Sequence, residues 1–233
     1  MSFVRRIMAS TATEQLFEAI RGGNSSSTGA AVTPANAMRV SAVYACVRIL
    51  AETVAQVPLL LYRREGDGRD RANDHPLYPL LHDAPNEYQT SFEFREMMQG
   101  HVALRGNAYA RKIYSRGLLQ ELIPLHPDTV SAEGKSGKMI YKISDKMGRQ
   151  QERTSREIFH IRGMSSDGYL GLSPIHVARD IIGMTITTEN YGAALFRNGA
   201  KPGGILKHPS HFKDRATRDR LIGDKIGGGD WSR

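Results

Sequence analysis

Between Val40 and Val57 the apolar residues Val40, Val43, Tyr44, Val47, Leu50, Ala51, Val54 and Val57 recur at three- and four-residue intervals. That spacing gathers them on one face of a helix. Pro58 ends it, because a proline ring clashes with the preceding turn. LLLYRRE (59–65) then reads as a strand, turned by Gly66-Asp67-Gly68. HPLYPLLHDAPN (75–86) predicts a short helix fenced by prolines. Thr90, with Glu93 three residues on, has the spacing of a capping box. The helix it opens should run to about Arg105 and stop at Gly106-Asn107.

The period then changes. NAYARKIYS (107–115), LLQELIPL (118–125), KMIYKISD (138–145) and EIFHIRG (157–163) are short β-rich runs. Turn chemistry separates them at Arg116-Gly117, His126-Pro127-Asp128, Glu133-Gly134 and Met147-Gly148. A small antiparallel sheet following helices makes the class α+β. Next comes the longest helical pattern, Ser173 to Asn198. Ser173 suits an N-cap and Pro174 the first helical position, where its missing N–H costs nothing. Ile175, Ala178, Ile182, Ile186, Tyr191 and Leu195 give it a drifting apolar side, and Asn198-Gly199 supplies the stop. Such a helix is about 35–40 Å long. A rod of that length crosses between subdomains or lines an assembly. Upstream, TATEQLFEAIR (11–21) can form a short helix, and GGNSSSTGA (22–30) reads as a linker.

Composition changes this picture little. Hydrophobic residues make up 40% of the 233, enough for a core, and the formal net charge is +8. The charge permits contact with nucleic acid or an acidic partner without requiring it. Cys46 is the single cysteine, which excludes an internal disulfide and a cysteine-based zinc site. Its helical setting predicts a buried core thiol. No apolar run is long enough to span a membrane, and MSFVRRIMAS lacks the apolar stretch of a signal peptide.

The search for catalysis finds no constellation. A phosphate-cradling GxxxxGK[ST] loop is missing. Gly168-Tyr169-Leu170-Gly171 has two glycines too few for a dinucleotide fingerprint, and reads as a tight turn that aims the long helix. Gly163-Met164-Ser165-Ser166-Asp167-Gly168 misses the GxSxG spacing of a nucleophile elbow, so Ser165 has no claim to activation. His208 and His211, with Asp214, are the only close imidazole pair, and a transition-metal site wants more ligands. No enzyme, cofactor or metal is expected. Basic residues concentrate after Lys201, where Lys207, Lys213 and Arg215 are candidates, with Lys201 itself, for DNA or partner contact.

The order of these segments resembles that of portal proteins of long-tailed bacteriophages. VSAVYACVRILAETVAQVPLLLYRR (40–64) looks like the start of the portal body. HPLYPLLHDAPNEYQTSFEFREMM (75–98) resembles the family's proline-bounded "HPL…LL…PN" stretch. GNAYARKIYSRGLLQELIPLHPDTV (106–130) is similar to its "G-N-A-Y" strand and "L-x-P-L-x-P-x-x-V" segment. EIFHIRGMSSDGYLGLSPIHVARDII (157–182) resembles its "G-x-S-P-I" helix start, and FRNGAKPGGIL (196–206) its helix exit. The resemblance covers residues 40–206.

It implies a homo-oligomeric ring, typically a dodecamer, at one capsid vertex of the virion, assembled in the host cytoplasm. Double-stranded DNA passes through the ring during packaging and ejection. The terminase motor, capsid and head-completion proteins are the implied partners, with no membrane. It also implies a division of the chain. Residues 1–34 would be a flexible arm, 35–170 a wing-like α+β domain, 171–200 a long stem-like helix, and 201–233 the start of a clip-like region. The family pattern fades after about Arg220, so the chain is expected to be a C-terminally shortened portal. Gly168, Gly171, Ser173 and Pro174 should set the sheet-to-helix turn. Asn198 and Gly199 should end the helix, and Pro202, Gly203 and Gly204 redirect the chain. The competing readings are a stand-alone basic nucleic-acid-binding module and a degraded enzyme.

Overall fold

The computed structural model describes residues 26–135, 137–145 and 147–200. The helix expected at 11–21 and the region from Lys201 onward lie outside them. The chain forms two compact units, residues 1–190 and 191–233. Every helix and strand among the described residues belongs to the first, apart from the end of the last helix.

Thr33 caps a short helix α1 (Pro34–Ala37), and α2 (Ser41–Gln56) follows. α2 ends because Val57, preceding Pro58, is extended at φ −76° and ψ 114°. Strands β1 (Tyr62–Glu65) and β2 (Gly68–Arg71) form an antiparallel hairpin whose every residue is exposed. Leu59–Leu61, expected within β1, precede its ladder. The proline-fenced helix is α3 (Tyr78–His82), and α4 (Ser91–Arg105) packs along α2. The capping box is formed: Thr90 Oγ1 accepts the Glu93 N–H, and Glu93 Oε2 accepts the Thr90 N–H at 2.8 Å. Gly106, at φ 76°, closes α4 with its N–H on the Val102 carbonyl at 2.8 Å. Only a residue without Cβ adopts that left-handed geometry cheaply.

One antiparallel sheet has the order β4-β3-β8, from β3 (Asn107–Ser115), β4 (Leu118–Leu125) and β8 (Ile158–Arg162). Arg116 and Gly117, at φ 51° and 79°, form the two-residue turn between β3 and β4. Alternation along β3 builds two cores at once. Ala108 and Ala110 pack with Phe94 and Met98 of α4 and with Leu122. Tyr109 turns the opposite way, onto Val130, Tyr141 and Ile158. Burying a side chain such as Met98, 1% exposed, stabilises the fold by about 2 kcal/mol.

The second antiparallel sheet has the order β5-β6-β7, from β5 (Val130–Lys135), β6 (Lys138–Ser144) and β7 (Gln150–Thr154). The class is α+β, with the strands shared between two three-stranded sheets and a hairpin rather than gathered in one sheet. β5 runs straight through Gly134, whose composition suggests a turn. The glycine is there for space, because a Cβ would overlap the Tyr169 ring. β7 is polar and mostly exposed, so it carries no hydrophobic period to detect.

Three further expectations are corrected. Residues 26–34 are not part of a free arm. Ser26 is buried, Ser27 donates its N–H to Asp180 Oδ1 at 2.8 Å, and Val32 joins a core with Ala37, Val40, Ile175 and Ile182. Cys46 is exposed rather than buried, since α2 turns Val47, Ala51 and Ala55 inward instead. The long helix is present as α6 (Arg179–Arg197) but starts later than expected, since Ala178, at φ −90° and ψ 11°, separates it from a short α5 (Pro174–Val177). Alanine has no intrinsic preference for a break. The interruption sits beside a local contact, Arg179 Nη1 on His176 Nε2 at 3.0 Å, and a tertiary one, Asp180 on the Ser27 N–H. The 19 residues of α6 span roughly 28 Å at 1.5 Å per residue.

Candidate assembly site

The corner between β8 and α5 is built almost wholly from main chain and short polar side chains. Ser165 Oγ donates to the Leu170 carbonyl at 2.6 Å and accepts the Gly168 N–H at 3.0 Å. Asp167 Oδ1 accepts the N–H groups of Tyr169 and Leu170 at 2.7 and 2.9 Å. Ser165 thus shapes a turn, with Gly168 at φ 73°. Gly171 sits where any Cβ would strike the Gly106 carbonyl, and Gly163 donates to that same carbonyl at 2.8 Å. Ser173 Oγ donates to the Leu104 carbonyl at 2.7 Å and accepts the His176 N–H, capping α5 with Pro174 in its first turn.

Asn107 holds the corner to the sheet. Its Oδ1 accepts the Gly171 N–H at 2.8 Å, and its Nδ2 donates to the Gly171 carbonyl at 2.8 Å. His160 Nε2 lies 3.0 Å from the same Oδ1, and His160 Nδ1 lies 3.2 Å from the Tyr141 hydroxyl. An Asn oxygen already receiving an N–H must be the acceptor, so His160 donates from Nε2 and accepts at Nδ1. Burial lowers the His160 pKa to about 4, with the Arg162 charge adding to the effect. The ring is therefore neutral at pH 7, as the network requires. Tyr109 lies against it with ring centroids 4.5 Å apart. In the sequence Asn107 shows only as part of a helix stop; its partner is 64 residues away.

At the far end of α6 the backbone closes in a Schellman pattern. Gly199, at φ 74°, donates to the Phe196 carbonyl at 3.0 Å, and Ala200 donates to the Leu195 carbonyl at 2.8 Å. Asn198 bonds to the Ala194 carbonyl and is the last residue of the helical ladder. Lys201, Pro202, Gly203, Gly204, Lys207, Lys213 and Arg215 lie outside the described residues.

α6 turns Ile182, Gly183 and Ile186 toward the fold. Ile181 and Met184 point out, 75% and 63% exposed, and Tyr191 and Phe196 are exposed farther along the helix. α2 likewise leaves Tyr44, Ile49, Leu50 and Val54 uncovered, and Val57, just past its end, is uncovered too. Exposed apolar side chains grouped on a helix face are candidates for contact with another chain. Among the described residues no three His, Cys, Asp or Glu side chains cluster to hold a metal. No helix among them is long and apolar enough to cross a membrane. A cavity of about 650 Å³ beside the corner contains Arg105 and Asp128, but these neutralise each other through two hydrogen bonds of 2.6 Å.

The sequence profile of the phage portal protein family matches residues 41–227. The chain belongs to that family. It is similar to the portal protein of Enterobacteria phage HK97, 32% identical over 172 residues that cover 72% of this chain and 40% of the phage protein. Protein BeeE of Escherichia coli strain K12 is 38% identical over 120 residues, covering 52% of this chain and 76% of BeeE. A chain in the neck of the empty GTA particle shares the fold, with a TM-score of 0.59 at 23% identity, over 84% of this chain and 55% of that one. This chain thus spans less than half the length of the HK97 portal protein. The Asn107 bracket, the corner and the whole of α6 fall inside the portal-matching residues.

Proposed function

We propose that the chain is a subunit of a portal ring at a phage capsid vertex, through which double-stranded DNA is packaged and ejected. The observation that carries this reading is a portal match that spans both helices with uncovered apolar faces, α2 and α6. A side chain such as Ile181 held in water forfeits about 2 kcal/mol of burial, which neighbouring copies recover. In this reading residues 35–170 act as the wing, α6 as a stem element, and the chain from Lys201 leads into the clip. The terminase motor docks there, and Lys201, Lys207, Lys213 and Arg215 meet it or DNA phosphates. Capsid and head-completion proteins are the other partners. Energy for packaging comes from the motor, and this subunit is a conduit rather than an enzyme.

Light scattering and negative-stain microscopy, with and without a full-length portal partner, test the reading. Rings or ring arcs are expected, and Met184→Asp should abolish them while leaving the monomer's melting temperature unchanged. A chain that stays monomeric throughout and binds duplex DNA with a steep salt dependence would instead be a basic binding module.

A further inference from the structure

One buried cation on α4 is only partly satisfied by the fold. Arg95 reaches across to the end of α2, where its Nη2 donates to the Ala55 carbonyl at 2.8 Å. A cation on the free carbonyls of a helix end caps it. That cap uses one corner of the guanidinium. Nε and Nη1 are buried and have no hydrogen-bond partner. Arg95 also takes part in none of the ion pairs among the described residues. Charge held in a protein interior without a partner is destabilising, and an arriving carboxylate relieves it.

Arg95 stands on the wall of a cavity of about 430 Å³, within the range of small-molecule sites, about 300–1,000 Å³. Phe94, Met98 and Leu122 line it at 6%, 1% and 4% exposure and form its floor. Val54 and Val57, 45% and 61% exposed, stand at its mouth. Those two are shared with the surface left to neighbouring copies; the floor and Arg95 are not. Three of the lining side chains are polar. Ser91 Oγ already donates to the His82 carbonyl at 2.6 Å. Gln99 follows Arg95 by one helical turn and shares its face. A cation and an amide thus stand together in an apolar wall.

We propose that this cavity binds a small amphiphilic monocarboxylate. Its carboxylate lies on Arg95, with Gln99 beside it, and its hydrocarbon part rests against Phe94, Met98 and Leu122. Both halves of the ligand follow from the lining. Hydrocarbon matches the floor, and a carboxylate forms charge-assisted hydrogen bonds with a guanidinium. A multiply charged anion such as phosphate would leave charge unmatched among apolar side chains. The site lies within one chain and does not depend on ring assembly.

Decanoate, titrated below its micelle concentration into the full chain, tests the site by calorimetry and by the NMR shift of the Met98 methyl group. Saturable one-to-one binding that moves this methyl is expected. 1-Decanol carries the same tail without the charge and leaves water more readily, so a merely apolar cavity prefers it. Here it should bind at least about tenfold more weakly than decanoate. Arg95→Met keeps the length and apolar bulk of the side chain, and replacing an unpaired buried charge in this way is tolerated by the fold. It should reverse the preference, whereas Arg95→Lys should retain decanoate binding. No saturable binding at millimolar decanoate overturns the proposal. So does decanol bound as tightly as decanoate, an Arg95→Met chain that binds decanoate like the parent, or binding that leaves Met98 unmoved.

Discussion

Asn107→Ala removes the bracket that ties the corner to the sheet. The side chain makes three hydrogen bonds of 3.0 Å or shorter, two with Gly171 and one with His160. At about 1 kcal/mol net for each, the loss is about 3 kcal/mol. For a chain of this size that lowers the melting temperature by roughly 6–12 °C, readable by circular dichroism, with a matching fall in the urea midpoint. Asn107→Asp separates the bracket from simple packing. Aspartate keeps the acceptor for Gly171 and His160 but loses the donor to the Gly171 carbonyl. It also places a negative charge 3.0 Å from His160, which should raise that pKa from about 4 toward the ordinary histidine value. The shift is read by proton NMR of the ring. A loss under about 1 kcal/mol in the alanine variant, together with an unmoved His160 titration in the aspartate variant, would refute the bracket.

Stability should depend on pH through His160 and His101, both held down to about 4 by burial. The unfolded chain takes up protons below about pH 6.5 that the folded chain refuses, so stability is full above that pH. It falls between 6.5 and 4, by up to about 3 kcal/mol per ring, and His160→Gln should reduce the slope of a urea-midpoint profile over that range by roughly half, His101 carrying the rest. Gly171→Ala drives a Cβ into the Gly106 carbonyl, and should cost about 3 kcal/mol or more, seen as loss of soluble yield and a collapsed melt. Gly199→Val meets no neighbour within 4 Å but is forced to φ 74°. It should cost about 1–2 kcal/mol at the helix end, with faster amide exchange in the last turn of α6 and weaker ring assembly. An unchanged exchange pattern would sink the helix-stop role.

Local chemistry is the readable part of this fold. Thr90 with Glu93, the Gly106 stop and the Arg116-Gly117 turn act through neighbours a few residues away, so their pattern survives in one dimension. β3 and β4 match the predicted runs end for end, because β-rich runs bounded by turn residues mark both ends in the sequence. Tertiary choices are hidden. Periodicity says that α2 has an apolar face, not which part of it gets covered, and so it puts Cys46 on the wrong side of the surface. Gly134 carries the composition of a turn and the job of a gap for Tyr169. Val32 has the surroundings of a linker until Ile175 and Ile182 give it a partner. Asn107 bonds to a residue 64 positions on, beyond two sheets, and nothing next to it in the chain betrays that.

The β1–β2 hairpin has no inward face at all. Arg63, Arg64, Arg69 and Arg71 are balanced within the same stretch by Glu65, Asp67, Asp70 and Asp74, so it is electrically even as well as unanchored. A two-stranded ribbon of this kind can peel away and re-form without disturbing the hydrophobic clusters, none of which includes a hairpin residue. Its amides should therefore exchange with solvent long before those of β3, and whatever touches this edge meets a strip of alternating sign that yields under the touch.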